Sequence, residues 1–280
     1  MESDRTNDGV PQFIYGTAWK EDRTEELVDT ALDTGFRGID TANQRKHYHE
    51  EGVGAAIRKS IDNGSIDRDE LFLQTKFTHA EGQDHRKPYD PSDPLRTQVQ
   101  DSFERSLDHL NVDRIDSYLL HGPTTRSGLA DADREVWRTM EELSRSNQLD
   151  AIGVSNIRPD QLETLLDFAE VKPTFVQNRC FARTAWDRPV REICAENDIQ
   201  YQGFSLLTAN QKELRNQTIT SIAERHERTI PQVVFRFALQ VGILPLTGTT
   251  DREHMKQDLA CFEFELPEED VRTIETIAVQ

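Results

Sequence analysis

Leu71-Phe72-Leu73-Gln74-Thr75-Lys76 is a short, β-prone apolar run that ends on a lysine. Three other runs share this form. Phe36-Arg37-Gly38-Ile39 leads to Asp40, Ile115-Asp116-Ser117-Tyr118-Leu119-Leu120 to His121, and Ala151-Ile152-Gly153-Val154 to Ser155-Asn156. A lysine closing an apolar strand needs a charged partner, because Lys is almost never buried alone. Polar groups at the C-terminal ends of successive buried strands are how a (β/α)8 barrel assembles an active site.

Outward from these four, β-prone runs fall at 13–18, 37–42, 71–77, 115–121, 150–156, 174–178, 200–205 and 243–247. That makes eight. Between them lie segments with 3.6-residue apolar spacing, such as Leu27-Val28-Ala31-Leu32, Val99-Phe103-Leu107-Leu110 and Leu162-Leu165-Leu166. Strands separated by helical crossovers must pair in parallel. The pattern predicts an α/β chain folded as a single (β/α)8 TIM barrel over residues 1–280, with residues 1–11 (MESDRTNDGVP) as a polar N-terminal tail. A doubly wound open sheet would want a Gly-x-Gly-x-x-Gly turn after an early strand, and the sequence has none. Asp160 after Pro159 and Asp251 before residues 252–259 read as helix caps. Pro267-Glu268-Glu269-Asp270 reads as the acidic first turn of a last helix. The irregular segment 78–94 (THAEGQDHRKPYDPSDP) follows the third strand, and with 124–133 it is expected to wall a substrate pocket.

Bulk properties narrow the partners. The 280 residues hold 51 acids against 33 bases, a net charge of −18, and only eight of the bases are lysine. Such a field disfavours nucleic acid and anionic membranes. An acidic, lysine-poor surface suits a saline cytoplasm, where salt screens its self-repulsion. If the protein folds and works fully at low salt, that halophilic reading fails. The start lacks a secretion signal and no stretch approaches a membrane span, so a cytoplasmic location is expected. Cys180, Cys194 and Cys261 fit no metal spacing and read as reduced thiols.

Asp40, Tyr48, Lys76 and His121 form a chemically coherent set. A phenol can supply a proton, and a neighbouring ammonium lowers its pKa. A carboxylate secures that ammonium, and an imidazole can hold a carbonyl oxygen. Asp40-Thr41-Ala42, then Tyr48-His49-Glu50 and Val53-Gly54, resembles the Asp-Thr-Ala, Tyr-x-Asn-Glu, Val-Gly run of the aldo-keto reductases. The strands ending at Lys76 and His121, the Trp137, Met140-Glu141-Glu142-Leu143 helix, and Ala151-Ile152-Gly153-Val154-Ser155-Asn156 resemble the same family. The likeness runs from about Gly16 to Leu259. It implies an NAD(P)-dependent oxidoreductase that reduces a small-molecule aldehyde or ketone, with NADPH as cofactor and NADH as the alternative, working as a monomer or weak oligomer.

The resemblance also implies roles. Tyr48 is the general acid, Lys76 its tuner, Asp40 the lysine's partner and His121 the carbonyl's guide. Thr17, Asp40, Ser155, Asn156 and Gln177 lie at the nicotinamide end. Phe204 stands where the family usually stacks a tyrosine, and Ser205 and Leu207 follow in a pyrophosphate segment. Thr247, Gly248, Thr249, Thr250, His254 and Asp258 resemble an adenosine-phosphate loop, whose helix start would suit a phosphate. Departures are visible. Arg45, Lys46 and His47 are extra ahead of Tyr48, one residue is missing before Glu50, and Leu246 stands where many members carry a lysine for the 2′-phosphate. Arg252 or His254 would then have to supply that charge.

Two other classes compete. His47, His49, His79, His85 and His121 invite a metal-dependent hydrolase, but no His-Glu-x-x-His spacing exists, so no metal is expected. A non-catalytic nicotinamide-binding barrel would have no use for Lys76 and Tyr48 together.

Overall fold

The computed structural model describes residues 9–279. Eight parallel strands close a barrel in chain order. They are β1 Ile14–Gly16, β2 Gly38–Asp40, β3 Phe72–Phe77, β4 Ile115–Leu120, β5 Leu149–Ser155, β6 Phe175–Arg179, β7 Gln200–Phe204 and β8 Ile243–Thr247. The crossovers carry α1 Thr24–Thr34, α2 Glu50–Asp62, α3 Leu95–Leu110, α4 Asp131–Leu143, α5 Pro159–Phe168, α6 Arg188–Glu196, and the pair α7 Gln217–Arg225 and α8 Ile230–Gln240. After β8 come α9 Arg252–Leu259 and α10 Glu268–Glu275. No helix among the described residues is long and apolar enough to cross a membrane.

All eight expected strands form, each within two or three residues of its anticipated ends. Most of the expected N-terminal tail lies outside the described residues, and its last residue, Pro11, is already buried. Asp251 does cap α9, accepting from the backbone N–H of Glu253 and His254. Asp160 does not cap α5. Arg158 takes that position and Pro159 opens the helix, which leaves the Asp160 carboxylate to accept from Ser127 and Gly128. Asp270 is more than an acidic first-turn residue, because it is buried and pairs with Arg225 and His226.

Period-two alternation sorts each strand into an outward and an inward set. Outward residues such as Tyr15, Ile39, Leu73, Tyr118, Val176 and Tyr201 join the large core beneath the helices. Inward residues stack in layers. One inward set is apolar and holds Ile14, Phe72, Leu119, Phe175, Leu244 and Leu246. Phe72 and Phe175 meet there edge to face, with centroids 5.5 Å apart. Two residues further along β3, the inward position is Gln74, and two further still it is Lys76. The barrel interior therefore turns from apolar to polar toward the C-terminal strand ends.

Helix α2 follows directly on Tyr48, and its seat is set by Gly54. A Cβ there would come within 2.1 Å of the His109 carbonyl on α3, so only glycine permits this approach. All three cysteines are buried, and among the described residues none forms a disulfide. Burial pushes the Cys180 and Cys194 thiols up to about 12, as inert thiols require.

Candidate active site

Lys76 and Asp40 lie at the top of the barrel interior, 1 % and 4 % exposed. Lys76 Nζ donates to Asp40 Oδ1 at 2.6 Å, to Asp40 Oδ2 at 2.7 Å and to the Thr41 carbonyl at 2.7 Å. Three acceptors satisfy the three ammonium hydrogens. Burial pulls the lysine's pKa down, and the Asp40 charge opposes it.

A layer that the sequence reading missed holds Asp40 from below. Gln74 donates to Asp40 Oδ1 at 2.7 Å and to Gln202 Oε1 at 2.8 Å. Gln177 donates to the same two atoms at 2.9 and 3.0 Å. Gln202 donates back to Gln74 Oε1, which also accepts from Ser117. Three buried amides and a hydroxyl thus satisfy one another across β3, β4, β6 and β7, as buried polar groups must. The available signal was the inward spacing Phe72, Gln74, Lys76 on one strand.

Tyr48 stands over this pair. Lys76 Nζ lies 5.4 Å from its ring centroid, and the His121 ring is 5.9 Å away, edge on. The lysine's hydrogens go elsewhere, so it acts on the phenol through space. The expected lowering of the phenol's pKa is not found. Loss of water around Tyr48 raises it, and the Asp40 charge raises it further. Asp40 offsets the lysine's field, so burial dominates.

His121 Nδ1 and the Thr78 hydroxyl lie 2.7 Å apart. Burial, then the charges of Lys76 and His47, lower the imidazole's pKa to about 3, so it is neutral at pH 7. Thr78 is itself anchored by Tyr89, whose hydroxyl donates to the Thr78 carbonyl at 2.6 Å. Segment 78–94 therefore braces His121 and does not wall the pocket. It also holds the chain at the start of the extra residues, since Arg86 donates to the Arg45 carbonyl and Gln83 to that of Asn43. Segment 124–133 likewise stays out of the cavity and packs on α5, where Gln161 donates to the Thr125 and Gly128 carbonyls.

A cavity of about 930 Å³ opens at this strand-end face. Asp40, Tyr48, His121, Ser155, Asn156 and Gln177 line one side of it. Phe204, Ser205 and Leu207 follow, and Thr247, Gly248, Thr249, His254 and Asp258 line the α9 side. Three expected residues do not line it, and one of them, Lys76, lies behind Asp40. Thr17 is fully buried, with its hydroxyl donating to the Asp40 carbonyl at 3.0 Å, so Gly16 and Ala18 face the cavity instead. Thr250 is exposed beyond the rim. The α9 start is also unlike the expectation, because the Asp251 carboxylate already occupies the first-turn N–H groups.

Sequence reasoning missed several lining residues. Trp19, 68 % exposed, stacks on His47 with centroids 3.7 Å apart, and both line the mouth. The inserted residues thus serve to carry His47 to Trp19. Lys20 donates to the Gly248 carbonyl, and Arg179 lies 5.5 Å over the Phe204 ring. Trp19, Lys20 and His47 close no strand, and Arg179, though it ends β6, follows the polar pair Gln177-Asn178 and so does not close an apolar run.

Among the described residues no three metal-binding side chains cluster closely enough to hold an ion. His79 pairs with Asp133 at 3.2 Å, His47 with Trp19, and His121 with Thr78.

Asp258 is 3 % exposed and accepts from the Thr247 hydroxyl at 2.8 Å. Burial raises its pKa from 3.8 to about 7. A carboxyl with a raised folded pKa binds more protons folded than unfolded, so the parent loses stability as pH rises from about 4 to 7. Asp258→Asn is expected to stabilise the fold by roughly 2–4 kcal/mol at pH 8 and by almost nothing at pH 4. Urea midpoints at the two pH values check this, and an equal gain at both would refute it.

A closed parallel barrel with a buried Lys–Asp pair, a phenol and an imidazole at one cavity defines a candidate barrel oxidoreductase. The Aldo/keto reductase family model matches residues 12–279, and the chain belongs to that family. It is 33 % identical over 270 residues to a glyoxal reductase of Bacillus subtilis, covering 96 % of this chain and 89 % of that protein. It is 28 % identical to a 9,11-endoperoxide prostaglandin H2 reductase of Trypanosoma cruzi, covering 96 % and 88 %. An aldo/keto reductase structure from Brucella melitensis superposes with TM-score 0.81 at 29 % identity, covering 98 % of both chains. A Bombyx mori aldo-keto reductase in complex with NADP superposes with TM-score 0.81 at 26 % identity, covering 98 % of this chain and 91 % of the other.

Proposed function

We propose that this protein reduces a small aldehyde or ketone to the alcohol, with a reduced nicotinamide dinucleotide in the cavity and Tyr48 as the proton donor. The observation that carries this reading is the meeting of Asp40, Tyr48 and His121 at one cavity wall, with Lys76 paired to Asp40 behind it.

The residues present fit such a cofactor. A volume of about 930 Å³ is large for a ligand pocket. Gln177 spends both amide hydrogens on Asp40 and Gln202, and Asn156 spends its own on the His121 carbonyl and Ser155 Oγ. Their side-chain carbonyl oxygens are left as acceptors on the cavity wall, matching the two hydrogens of a carboxamide. The Phe204 face suits ring stacking. Lys20 and Arg179 supply positive charge for a diphosphate. When bound, the cofactor supplies hydride to the carbonyl carbon.

The protein's part is the oxygen. His121 Nδ1 and the Thr78 hydroxyl share one hydrogen bond, and in the tautomer protonated on Nε2 the hydroxyl donates to Nδ1 and Nε2 is the ring's donor to a bound carbonyl. The depressed pKa keeps that ring neutral, so it orients the carbonyl without competing as an acid. Tyr48 stays fully protonated because its pKa is raised. An alkoxide is a much stronger base than a phenolate, so the transfer runs downhill as the C=O bond becomes C–OH. Lys76 then faces the new phenolate, and water restores its proton.

The similarity to a glyoxal reductase puts glyoxal and simple aldehydes first in a substrate panel. Oxidation of NADPH or NADH followed by absorbance is expected with at least one of them. Binding of both cofactors with turnover of none would overturn the proposal.

A further inference from the structure

Resting on that reading of the cavity, we infer that its α9 end carries no recognition for a 2′-phosphate, so this chain binds NADH at least as tightly as NADPH. Charge matching is the basis. Among the described residues lining the cavity, Lys20 and Arg179 are the permanent cations, and neither has a carboxylate within ion-pair distance. Two cations match the two charges of a diphosphate. A 2′-phosphate adds a further charge of about −1.5 to −2, and nothing positive remains to meet it.

The α9 end itself is built for a donor, not an anion. Asp258 presents a buried carboxyl whose one hydrogen bond comes from Thr247. That acceptor suits a ribose hydroxyl or an amino group and opposes a phosphate, a selection made by repulsion as much as by attraction. The helix start cannot compensate, because Asp251 fills it. The basic residues of α9 do not line the cavity: Arg252 is exposed and pairs with Asp33 at 3.8 Å, and Lys256 is exposed and pairs with Glu253 at 2.6 Å. His254 is the nearest substitute, an exposed imidazole with little charge at pH 7.

Calorimetric titration of the full chain with NADH and with NADPH at fixed salt tests this without any turnover. The dissociation constant for NADPH is expected to equal or exceed that for NADH. At pH 8, Asp258→Asn keeps an acceptor for Thr247 while removing the charge, and should shift the ratio of NADPH to NADH affinity about tenfold toward NADPH. Gln257→Lys, at an exposed lining position, should do the same without touching the core. NADPH binding about tenfold or more tighter than NADH in the parent would overturn the inference and leave the cofactor site standing. Binding of neither would remove both.

Discussion

Tyr48→Phe keeps the barrel and both cofactor affinities and loses roughly 10²- to 10⁴-fold in kcat, the usual contribution of a positioned proton donor. Among the described residues the hydroxyl forms no hydrogen bond, while the ring packs against His121 and over Lys76. Phenylalanine retains both ring contacts. Single-turnover rates beside calorimetric affinities separate chemistry from binding. If the variant turned over like its parent, the proton would have to come from elsewhere.

Lys76→Met has the largest expected effect on the fold. It strands the Asp40 carboxylate among three buried amides, and breaking a buried ion pair by removing one partner costs about 3–5 kcal/mol. Activity falls with it, since the charge facing the phenolate is gone. The double variant Asp40→Asn/Lys76→Met distinguishes these losses. Asparagine can still accept from Gln74 and Gln177, so most of the stability should return while kcat stays low. Recovery of both would reduce the pair to a structural element. Failure to recover stability would mean that the pair is not the source of the cost.

Much of this was legible in the sequence for a physical reason. Lys76, Asp40 and His121 each terminate an apolar run, and the strand ends therefore declared themselves. Tyr48 was picked out by its local pattern despite the three extra residues ahead of it, and it stands at the cavity beside His121 and over Lys76. What escaped notice lacked such a marker. Gln74 and Gln202 sit inside strands, and only barrel closure brings them together across 128 residues of sequence. Thr17 looked like a rim residue, but a shift of one along a short strand turned it to the Asp40 carbonyl and brought its neighbours to the cavity. The direction of the Tyr48 pKa depends on how completely Asp40 offsets Lys76, which no linear spacing records. Segment 78–94 read as a wall because it follows a strand end, yet Tyr89 and Gln83 tie it down as a brace.

The amide layer under Asp40 has a consequence for how the enzyme fails on heating. Asp40, Gln74, Gln177 and Gln202 join strands from opposite halves of the chain, so these side chains cannot loosen by local fraying. Backbone amides on both sides of that seam should exchange with deuterium only through opening of the whole molecule, and catalysis should persist undiminished until the temperature at which the native state itself melts.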